Sequence, residues 1–216
     1  MEQLRILFAT CECVPFIKTG GLGDVAGSLP AALNAAGCDC RVILPKHGAI
    51  PQQYRDAMEP VCTFTVPLSW RMQYCGLEQL VLDGVTYYFL DNEYYFKRER
   101  PYGYFDDAER MAFFSKAIVE AMQYLPGFFP NVLHCNDWHT ALAPVYLREE
   151  YFTTEQYRSV RIVMTVHNLK YQGVFSDSVL GNVLGLEQYP SAADQLRWQG
   201  GAVNFLQAGL RYADRL

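Results

Sequence analysis

A glycine-rich segment near the start of the chain could bind a phosphate group. Residues 18–25 read KTGGLGDV, with Lys18 ahead of the adjacent Gly20 and Gly21 and with Asp24 after them. Adjacent glycines let the backbone approach a ligand, and a helix that begins after them points free N–H groups at it. Lys18 adds a compact positive charge. The segment favours a pyrophosphate or phosphosugar ligand, although a tight turn with positive φ and an exposed lysine would use the same residues.

The spacing of these glycines does not fit a dinucleotide site. The NAD-binding pattern is G-x-G-x-x-G, and Gly21 and Gly23 supply only part of it. An acidic residue for the ribose is also missing after the next apolar run, where Lys46, His47 and Gly48 stand. A nicotinamide-dependent oxidoreductase is therefore disfavoured.

Two further segments combine polar side chains with aromatic rings. One is 136–139, NDWH, and the other is 167–173, HNLKYQG. Rings pack against the apolar faces of sugars, while amide, imidazole and carboxylate groups hydrogen-bond to sugar hydroxyls. A single histidine of this kind is more often structural, but several polar segments at one place are typical of a ligand site. The candidates are Asp137, Trp138, His139, His167, Asn168 and Gln172.

The elements that must position these segments begin with a strand–helix–strand pattern. The apolar run 5–10 predicts a buried strand, 22–36 has apolar residues at helical spacing, and 41–45 predicts a second strand. Gly37 is the expected C-cap of the helix, whereas Pro30 predicts a kink or an early break within it. This order is that of a βαβ unit.

The middle of the chain predicts an antiparallel addition to that unit. Strand-like runs cover 61–66, 77–82 and 85–90, and Asp83-Gly84 between the last two is typical of a hairpin turn. We therefore expect a small β insertion or an antiparallel edge of the sheet.

After a tyrosine-rich loop, the chain returns to alternating helices and strands. Asp106 and Asp107 are expected to cap the next helix rather than to act as a pair of catalytic carboxylates. The predicted elements are a helix at 107–124, a strand at 131–135, a helix at 140–151, a strand at 161–166 and a helix at 203–213. The fold class is therefore α/β, a doubly wound, Rossmann-like parallel sheet. Ligands of such sheets bind beyond the carboxyl ends of the strands, where the polar segments lie.

Composition narrows the classes of function. Half of the 216 residues are apolar and 19% are charged, which fits one folded domain. The net charge is −5 and no basic block occurs, so no nucleic acid partner is expected. No apolar stretch is long enough for a membrane span, and the mixed charges of the first five residues do not resemble a signal peptide.

The cysteines favour a reducing compartment. Among the seven, Cys11/Cys13 and Cys38/Cys40 form C-x-C pairs, which lack the spacing of a zinc site. We expect buried thiols, no metal ion and a cytoplasmic location.

Five segments together resemble one family. The motifs at 18–25, at 134–141 (HCNDWHTA) and at 165–173 (TVHNLKYQG) are similar to those of bacterial glycogen synthases and plant starch synthases. The stretches 102–110 and 208–214 match further family segments in the same order. The resemblance extends over nearly the whole chain.

This resemblance implies a glycosyltransferase. The family transfers glucose from ADP-glucose to the non-reducing 4-hydroxyl of an α-1,4-glucan such as glycogen, with retention of configuration and without a metal or other cofactor. Its members have the GT-B fold, in which two Rossmann-like domains enclose the active site, and they are roughly twice as long as this chain. Residues 1–216 would then be the N-terminal domain, the C-terminal nucleotide-binding domain would be absent, and the chain alone would be inactive.

The resemblance also implies roles for single residues. The catalytic residues would be Asp137, near the acceptor hydroxyl, and His167, near the transferred glucose. The donor would be bound by Lys18, Gly20, Gly21 and Asp24. Further hydrogen bonds would come from Asn168 and Gln172. The glucan channel would be lined by His139, Trp138, Tyr102 and Tyr104.

Two alternatives remain open at this point. The chain could be a non-catalytic glucan-binding module, which the aromatic residues would suit. It could also belong to a glycosyltransferase that uses another sugar nucleotide, such as a UDP- or GDP-sugar, because the missing half would recognise most of the base.

Overall fold

The computed structural model describes residues 3–216. Met1 and Glu2, part of the chain start compared above with signal peptides, lie outside the described residues. The strands of the described part are β1 (Arg5–Ala9), β2 (Asp39–Pro45), β3 (Glu59–Leu68), β4 (Arg71–Leu82), β5 (Val85–Asp91), β6 (Val132–Asn136), β7 (Arg161–Thr165), β8 (Val174–Ser176), β9 (Arg197–Trp198) and β10 (Ala202–Asn204). Its α-helices are α1 (Gly21–Ala35), α2 (Gln52–Asp56), α3 (Glu93–Phe96), α4 (Asp107–Ala121), α5 (Leu142–Glu150), α6 (Glu155–Arg158), α7 (Pro190–Leu196) and α8 (Phe205–Tyr212).

Seven strands form one sheet in the order β3-β4-β5-β2-β1-β6-β7. From β5 to β7 all neighbours are parallel, whereas β3 and β4 are antiparallel at one edge. Strand β1 lies inside the sheet, with Phe8 beside Val42 on one side and His134 on the other. The expected doubly wound α/β fold class is confirmed, and the antiparallel strands extend the same sheet.

Helices cover both faces of this sheet because successive strand residues point to opposite sides. Ile6 and Phe8 of β1 pack in the cluster that contains Ala26 of α1. Leu7 and Ala9 belong to the larger cluster on the other face, where α4, α5 and α8 pack together. Among residues 3–216, no helix is both long enough and apolar enough to cross a membrane.

Helix α1 does not break at Pro30, so the expectation of an early break was wrong. The helix continues to Ala35, and Pro30 is buried within it. The C-cap is Ala36 rather than the predicted Gly37, which follows it with φ +97° and donates its amide to the Asn34 carbonyl at 3.0 Å. A positive φ at this position is the reason for a glycine there.

The antiparallel edge follows the prediction. Asp83 (φ +51°) and Gly84 (φ +78°) form the two-residue turn between β4 and β5. At the outer edge, β3 carries Pro60 and Pro67, which lack the amide that another strand would pair with.

The two carboxylates before α4 do not cap it as expected. Asp106 occupies the N-cap position without a capping hydrogen bond and instead pairs with Arg98 at 2.9 Å. Asp107 is the first residue of the helix, and its Oδ2 accepts from the amide of Gly103 at 2.6 Å. Its Oδ1 pairs with the buried Arg110 at 2.5 Å. Nearby arginines draw both carboxylates away from the free amides of the helix.

The segment from residue 174 to 204 was not predicted. Strands β8, β10 and β9 form a separate antiparallel sheet, and a π-helical turn covers Leu180–Leu184. Strands of two or three residues are too short to show an alternating pattern. The helix predicted at 203–213 begins only at Phe205, after β10.

Candidate functional site

A cavity of about 1120 Å³ lies beyond the carboxyl ends of β1, β6 and β7. Its walls come from the loops after these strands, from the loop before α4 and from the small sheet. The predicted site residues among its lining are Gly20, Gly21, Tyr102, Asp137, Trp138, His139, His167, Asn168 and Gln172. Those outside its lining are Lys18, Asp24 and Tyr104. Folding thus brings the three polar segments of the sequence to one cavity.

The glycine turn after β1 is open to this cavity. Gly20 has φ −150°, so its conformation does not require glycine. A Cβ atom built on Gly20 or Gly21 would meet no atom within 4 Å. Neither a positive φ nor crowding by the protein therefore explains the two glycines. They leave open space at the start of α1, where a ligand can approach the backbone.

Glu12 lies under this turn and was not singled out in the sequence. It is only 2% exposed. Its carboxylate accepts hydrogen bonds from the Thr19 amide and hydroxyl, from the Gly20 amide and from the Tyr102 hydroxyl. The available signal was an acidic residue two positions after the first predicted strand, but its partner Tyr102 is 90 residues away.

Lys18 and Asp24 form an ion pair on the surface. Lys18 Nζ lies 2.7 Å from Asp24 Oδ1, and the two side chains are 45% and 58% exposed. Exposed pairs of this kind contribute little to stability. Both side chains stand beside the start of α1, with their charges balanced by each other.

Asp137, at the end of β6, organises the loop after β7. It has φ +56°, a conformation that costs a non-glycine residue energy and that is concentrated at functional sites. Its amide donates to the Thr165 carbonyl at 2.9 Å. Its Oδ1 accepts from the amides of His167 at 2.7 Å and Asn168 at 3.3 Å. The carboxylate thus holds the loop that carries His167 against β6.

The ring of His167 is oriented by the buried Asn136. His167 Nε2 lies 2.9 Å from Asn136 Oδ1. The Asn136 amide nitrogen donates to the Ala9 carbonyl at 3.0 Å, so its oxygen must face the ring. This network assigns the proton to Nε2 and leaves Nδ1 as an acceptor. Beside it, burial and the neighbouring imidazole of His167 lower the pKa of His134 to about 4.

His139 is buried with unused hydrogen-bonding capacity. Its ring lies 4.3 Å from that of Trp138 and 4.8 Å from that of Tyr102. Neither ring nitrogen has a hydrogen-bond partner among the described residues. Burial, together with His47 and Arg110, lowers the pKa of His139 to about 3, so the ring is neutral at pH 7. Buried polar atoms are almost always paired, which makes these nitrogens candidates for ligand contacts.

The other predicted residues differ in whether their side chains already have partners within the protein. The Gln172 side chain is engaged by Asn204 at 2.7 Å and by the Leu169 carbonyl at 2.9 Å. Asn168 is exposed, and its Oδ1 accepts from the Lys170 amide. Tyr104 is surrounded by the guanidinium groups of Arg98, Arg100 and Arg110.

A metal centre is not apparent in the described part of the chain. No group of three or more His, Cys, Asp or Glu side chains among residues 3–216 is placed to hold an ion. All seven cysteines are free, and burial raises the pKa of the Cys11 and Cys135 thiols, which opposes formation of the thiolate that binds metals.

Comparison with known proteins gives concordant matches. The model of the family described as starch synthase catalytic domain matches residues 5–216. Glycogen synthases from Desulfitobacterium hafniense and Clostridium novyi are 49% and 50% identical over 213 residues. These alignments cover 99% of this chain but only 45% and 44% of the relatives.

A solved structure has the same fold. The catalytic domain of starch synthase IV from Arabidopsis thaliana, bound to ADP and acarbose, matches with a TM-score of 0.85 and 27% identity. The match covers 99% of this chain and 44% of that one. The chain therefore spans less than half the length of the relatives it matches.

Proposed function

Since the chain belongs to the starch synthase catalytic domain family, we propose that its cavity binds ADP-glucose and the end of an α-1,4-glucan for glucosyl transfer with retention. The observation that carries this proposal is the meeting of the loops after β1, β6 and β7 at one cavity. One side of that cavity offers open backbone at a helix start, and the other offers imidazole and aromatic rings. The ADP and acarbose bound to Arabidopsis starch synthase IV support a nucleotide and a saccharide as ligands.

The diphosphate of the donor would lie at the start of α1. First-turn amides, from Gly21 onward, have no acceptor within the helix, and the helix dipole favours an anion there. Lys18 would leave Asp24 for the phosphate, an exchange that costs little because the pair is exposed. Gly20 would allow the glucose to approach, and Asp24 would hold Lys18 in place before binding.

The sugars would lie on the side of β6 and β7. His167 Nδ1 would accept from a hydroxyl of the transferred glucose, and Asp137 would lie beside the acceptor. Neutral His139 would hydrogen-bond to glucan hydroxyls, with Trp138 and Tyr102 packing on sugar faces. Two residues on the rim complete the set. Asn168 would bind directly, whereas Gln172 would act by holding its loop.

We propose that a second domain completes this site. Tyr104, outside the cavity lining, would then contact the more distant sugars of a longer glucan. The relatives are more than twice as long as the part matched here. In the proposed reaction, the bond from the anomeric carbon to the diphosphate breaks, and the acceptor 4-oxygen bonds to that carbon from the same face. The hydroxyl proton passes to the departing ADP. The chain alone would lack the positively charged side chains that the second domain would place on the other side of the diphosphate. It would therefore show negligible transfer.

A non-catalytic glucan-binding role is the second candidate. The two free nitrogens of buried His139, between the rings of Trp138 and Tyr102, favour saccharide binding independently of the donor. Co-sedimentation with glycogen, without any response to sugar nucleotides, would support this candidate over the transferase.

We also propose a cytoplasmic location. The seven cysteines are free, and most are buried, as is usual for proteins of reducing compartments. Fractionation of the native host would test this directly.

Calorimetric titration of ADP-glucose into the 216-residue protein tests the proposed function. We expect weak binding that Lys18→Ala reduces at least about tenfold, because a charge-assisted contact to phosphate is lost. Lys97→Ala is the matched control, since Lys97 is also an exposed lysine in an ion pair, with Glu93.

Three outcomes would contradict the proposal in different ways. Equal affinity of the Lys18→Ala and unchanged proteins would remove Lys18 from the donor site. Tighter binding of UDP-glucose or a GDP-sugar would point to another donor. Absence of ADP-glucose binding, together with glycogen-dependent release of ADP that is still missing after fusion to the C-terminal half of the Clostridium novyi relative, would refute the transferase.

A further inference from the structure

Glu12 is a buried carboxylate whose acceptor capacity is filled by the protein itself. Oε2 accepts from the amides of Thr19 and Gly20, the latter at 3.1 Å. Oε1 accepts from the Thr19 hydroxyl at 2.6 Å and from the Tyr102 hydroxyl at 2.8 Å. A carboxylate has about four lone-pair directions. Four donors therefore leave Glu12 no free acceptor position for a ligand.

These hydrogen bonds join two distant loops. Thr19 belongs to the glycine turn after β1, and Tyr102 to the loop before α4, 83 residues further along the chain. The Thr19 and Tyr102 hydroxyl oxygens also lie in contact with each other. Because each hydroxyl has one proton and donates it to Glu12, the carboxylate is the link that joins Thr19 to Tyr102.

The charge of Glu12 has no cationic side chain beside it. Among residues 3–216, no lysine, arginine or histidine forms an ion pair with Glu12, and nearby Lys18 pairs with Asp24 instead. A buried carboxylate needs compensation, which here comes from two amides, two hydroxyls and the start of α1. Gly20 at the N-cap has no side chain with which to cap this helix.

We infer that Glu12 is a positioning residue that fixes the glycine turn against Tyr102 and keeps anionic groups off the amides of Thr19 and Gly20. The identity of the ligand in this inference rests on the proposed function. With these two amides occupied, the amides from Gly21 onward are the donors left for a diphosphate. The neutral glucose then faces Gly20 and Tyr102. Glu12 therefore sets how far the nucleotide-sugar enters the cavity.

Amide hydrogen exchange on the 216-residue protein tests the structural part of this inference. In Glu12→Gln, an NH₂ group replaces one carboxylate oxygen. This group is itself a donor, so it cannot accept the hydrogen bonds that the oxygen accepted. We expect the Thr19 and Gly20 amides to exchange about ten to a hundred times faster, the range for a lost hydrogen bond to a charged group. The Phe8 amide in β1 should be unchanged. Glu59→Gln, an exposed glutamate far from the cavity, is the matched control.

A second variant covers the case in which Glu12→Gln does not fold. Tyr102→Phe removes one of the four donors to Glu12 and leaves the bonds from the Thr19 and Gly20 amides in place. The loop before α4 should then open more often, so that the Gly103 and Tyr104 amides, which donate to Asp107, exchange faster. Unchanged exchange at Thr19 and Gly20 in folded Glu12→Gln, or at the loop before α4 in Tyr102→Phe, would overturn the positioning role.

Comparison of two ligands tests the functional part. Without the negative charge, ADP should bind Glu12→Gln as tightly as the unchanged protein or more tightly, whereas ADP-glucose should lose affinity. The affinity for ADP-glucose relative to that for ADP should fall about fivefold or more, the size of effect expected when one hydrogen bond to the glucose is lost. Equal weakening of both ligands would show a purely structural role and overturn the inference. If neither ligand binds the unchanged protein or its fusion to the C-terminal half of the Clostridium novyi relative, the proposed function fails, and hydrogen exchange still decides whether Glu12 holds the turn.

Discussion

The two sides of the cavity use their polar atoms in opposite ways. On the β1 side, all acceptor positions of Glu12 are occupied by donors of the protein, and Gly20 and Gly21 leave empty space. On the β6–β7 side, Asp137 adopts a strained backbone and His139 keeps two buried nitrogens unpaired. The first side is a pre-formed backbone surface, whereas the second presents side chains. An anion bound by amides suits the first, and hydroxyl groups suit the second.

Glycine substitutions give the largest expected contrast between the sides. Gly173, in the loop after β7, has φ +63°, and a Cβ there would lie 2.5 Å from Trp138. We expect Gly173→Ala to lower the free energy of unfolding by about 3 kcal/mol, since it adds both strain and a clash. Gly20→Ala should change it by less than about 1 kcal/mol, because its Cβ meets open space. Urea unfolding of both variants measures the difference, and equal losses would abolish the contrast.

Acid should destabilise the β6–β7 side through His139. Its pKa falls from 6.5 to about 3 on folding, so the unfolded chain binds the proton first. Stability is therefore lost as the pH falls from about 6.5 towards 3, by about 2 kcal/mol at pH 5. Between pH 7 and pH 5, the free energy of unfolding of His139→Gln should therefore fall by about 2 kcal/mol less than that of the unchanged protein.

Tyr102→Phe is the control for the acid prediction. Burial raises the pKa of Tyr102, a shift that the Thr19 hydrogen bond opposes and Glu12 reinforces, so this phenol does not titrate between pH 5 and pH 7. Chemical unfolding at both pH values compares the proteins. An acid response of His139→Gln equal to that of the unchanged protein would show that His139 is not buried in its neutral form.

The ion pair beside the β1 side should have the smallest effect. Lys18→Ala is expected to change the free energy of unfolding by less than about 0.5 kcal/mol, as usual for an exposed pair. A double-mutant cycle with Asp24→Ala measures the coupling. Coupling above about 1 kcal/mol would mean that Lys18 is fixed by Asp24 and is not free to bind a phosphate.

Much of the frame could be predicted from local patterns. Buried strands such as β1 and β2 appear as short apolar runs, and the turn at Asp83-Gly84 has the residues that its φ angles require. The position of the cavity loops at the carboxyl edge of the sheet was also predictable, because each loop follows a strand of a parallel sheet. The missed elements, such as β9 with two residues, are too short to leave a pattern.

The capping of α4 shows why local rules fail at some positions. Aspartate before a helix is the usual cap, and the sequence offers Asp106 and Asp107. Arg98 and Arg110 compete for these carboxylates, and the stronger charge-assisted contacts prevail. Arg110 lies one helical turn after Asp107, a spacing at which two side chains can meet, but nothing in the local pattern places Arg98 beside Asp106.

The sequence by itself determined the order of strands and helices, the family, and which loops meet at the cavity, because each depends on residue type and local spacing. Only the tertiary structure decided which atoms are free to bind. The contact of Glu12 with Tyr102, the pairing of Lys18 with Asp24 and the isolation of His139 depend on distances between loops. Hydrogen bonds and burial act over a few ångströms, whereas the residues that make them are separated along the chain by up to 90 positions.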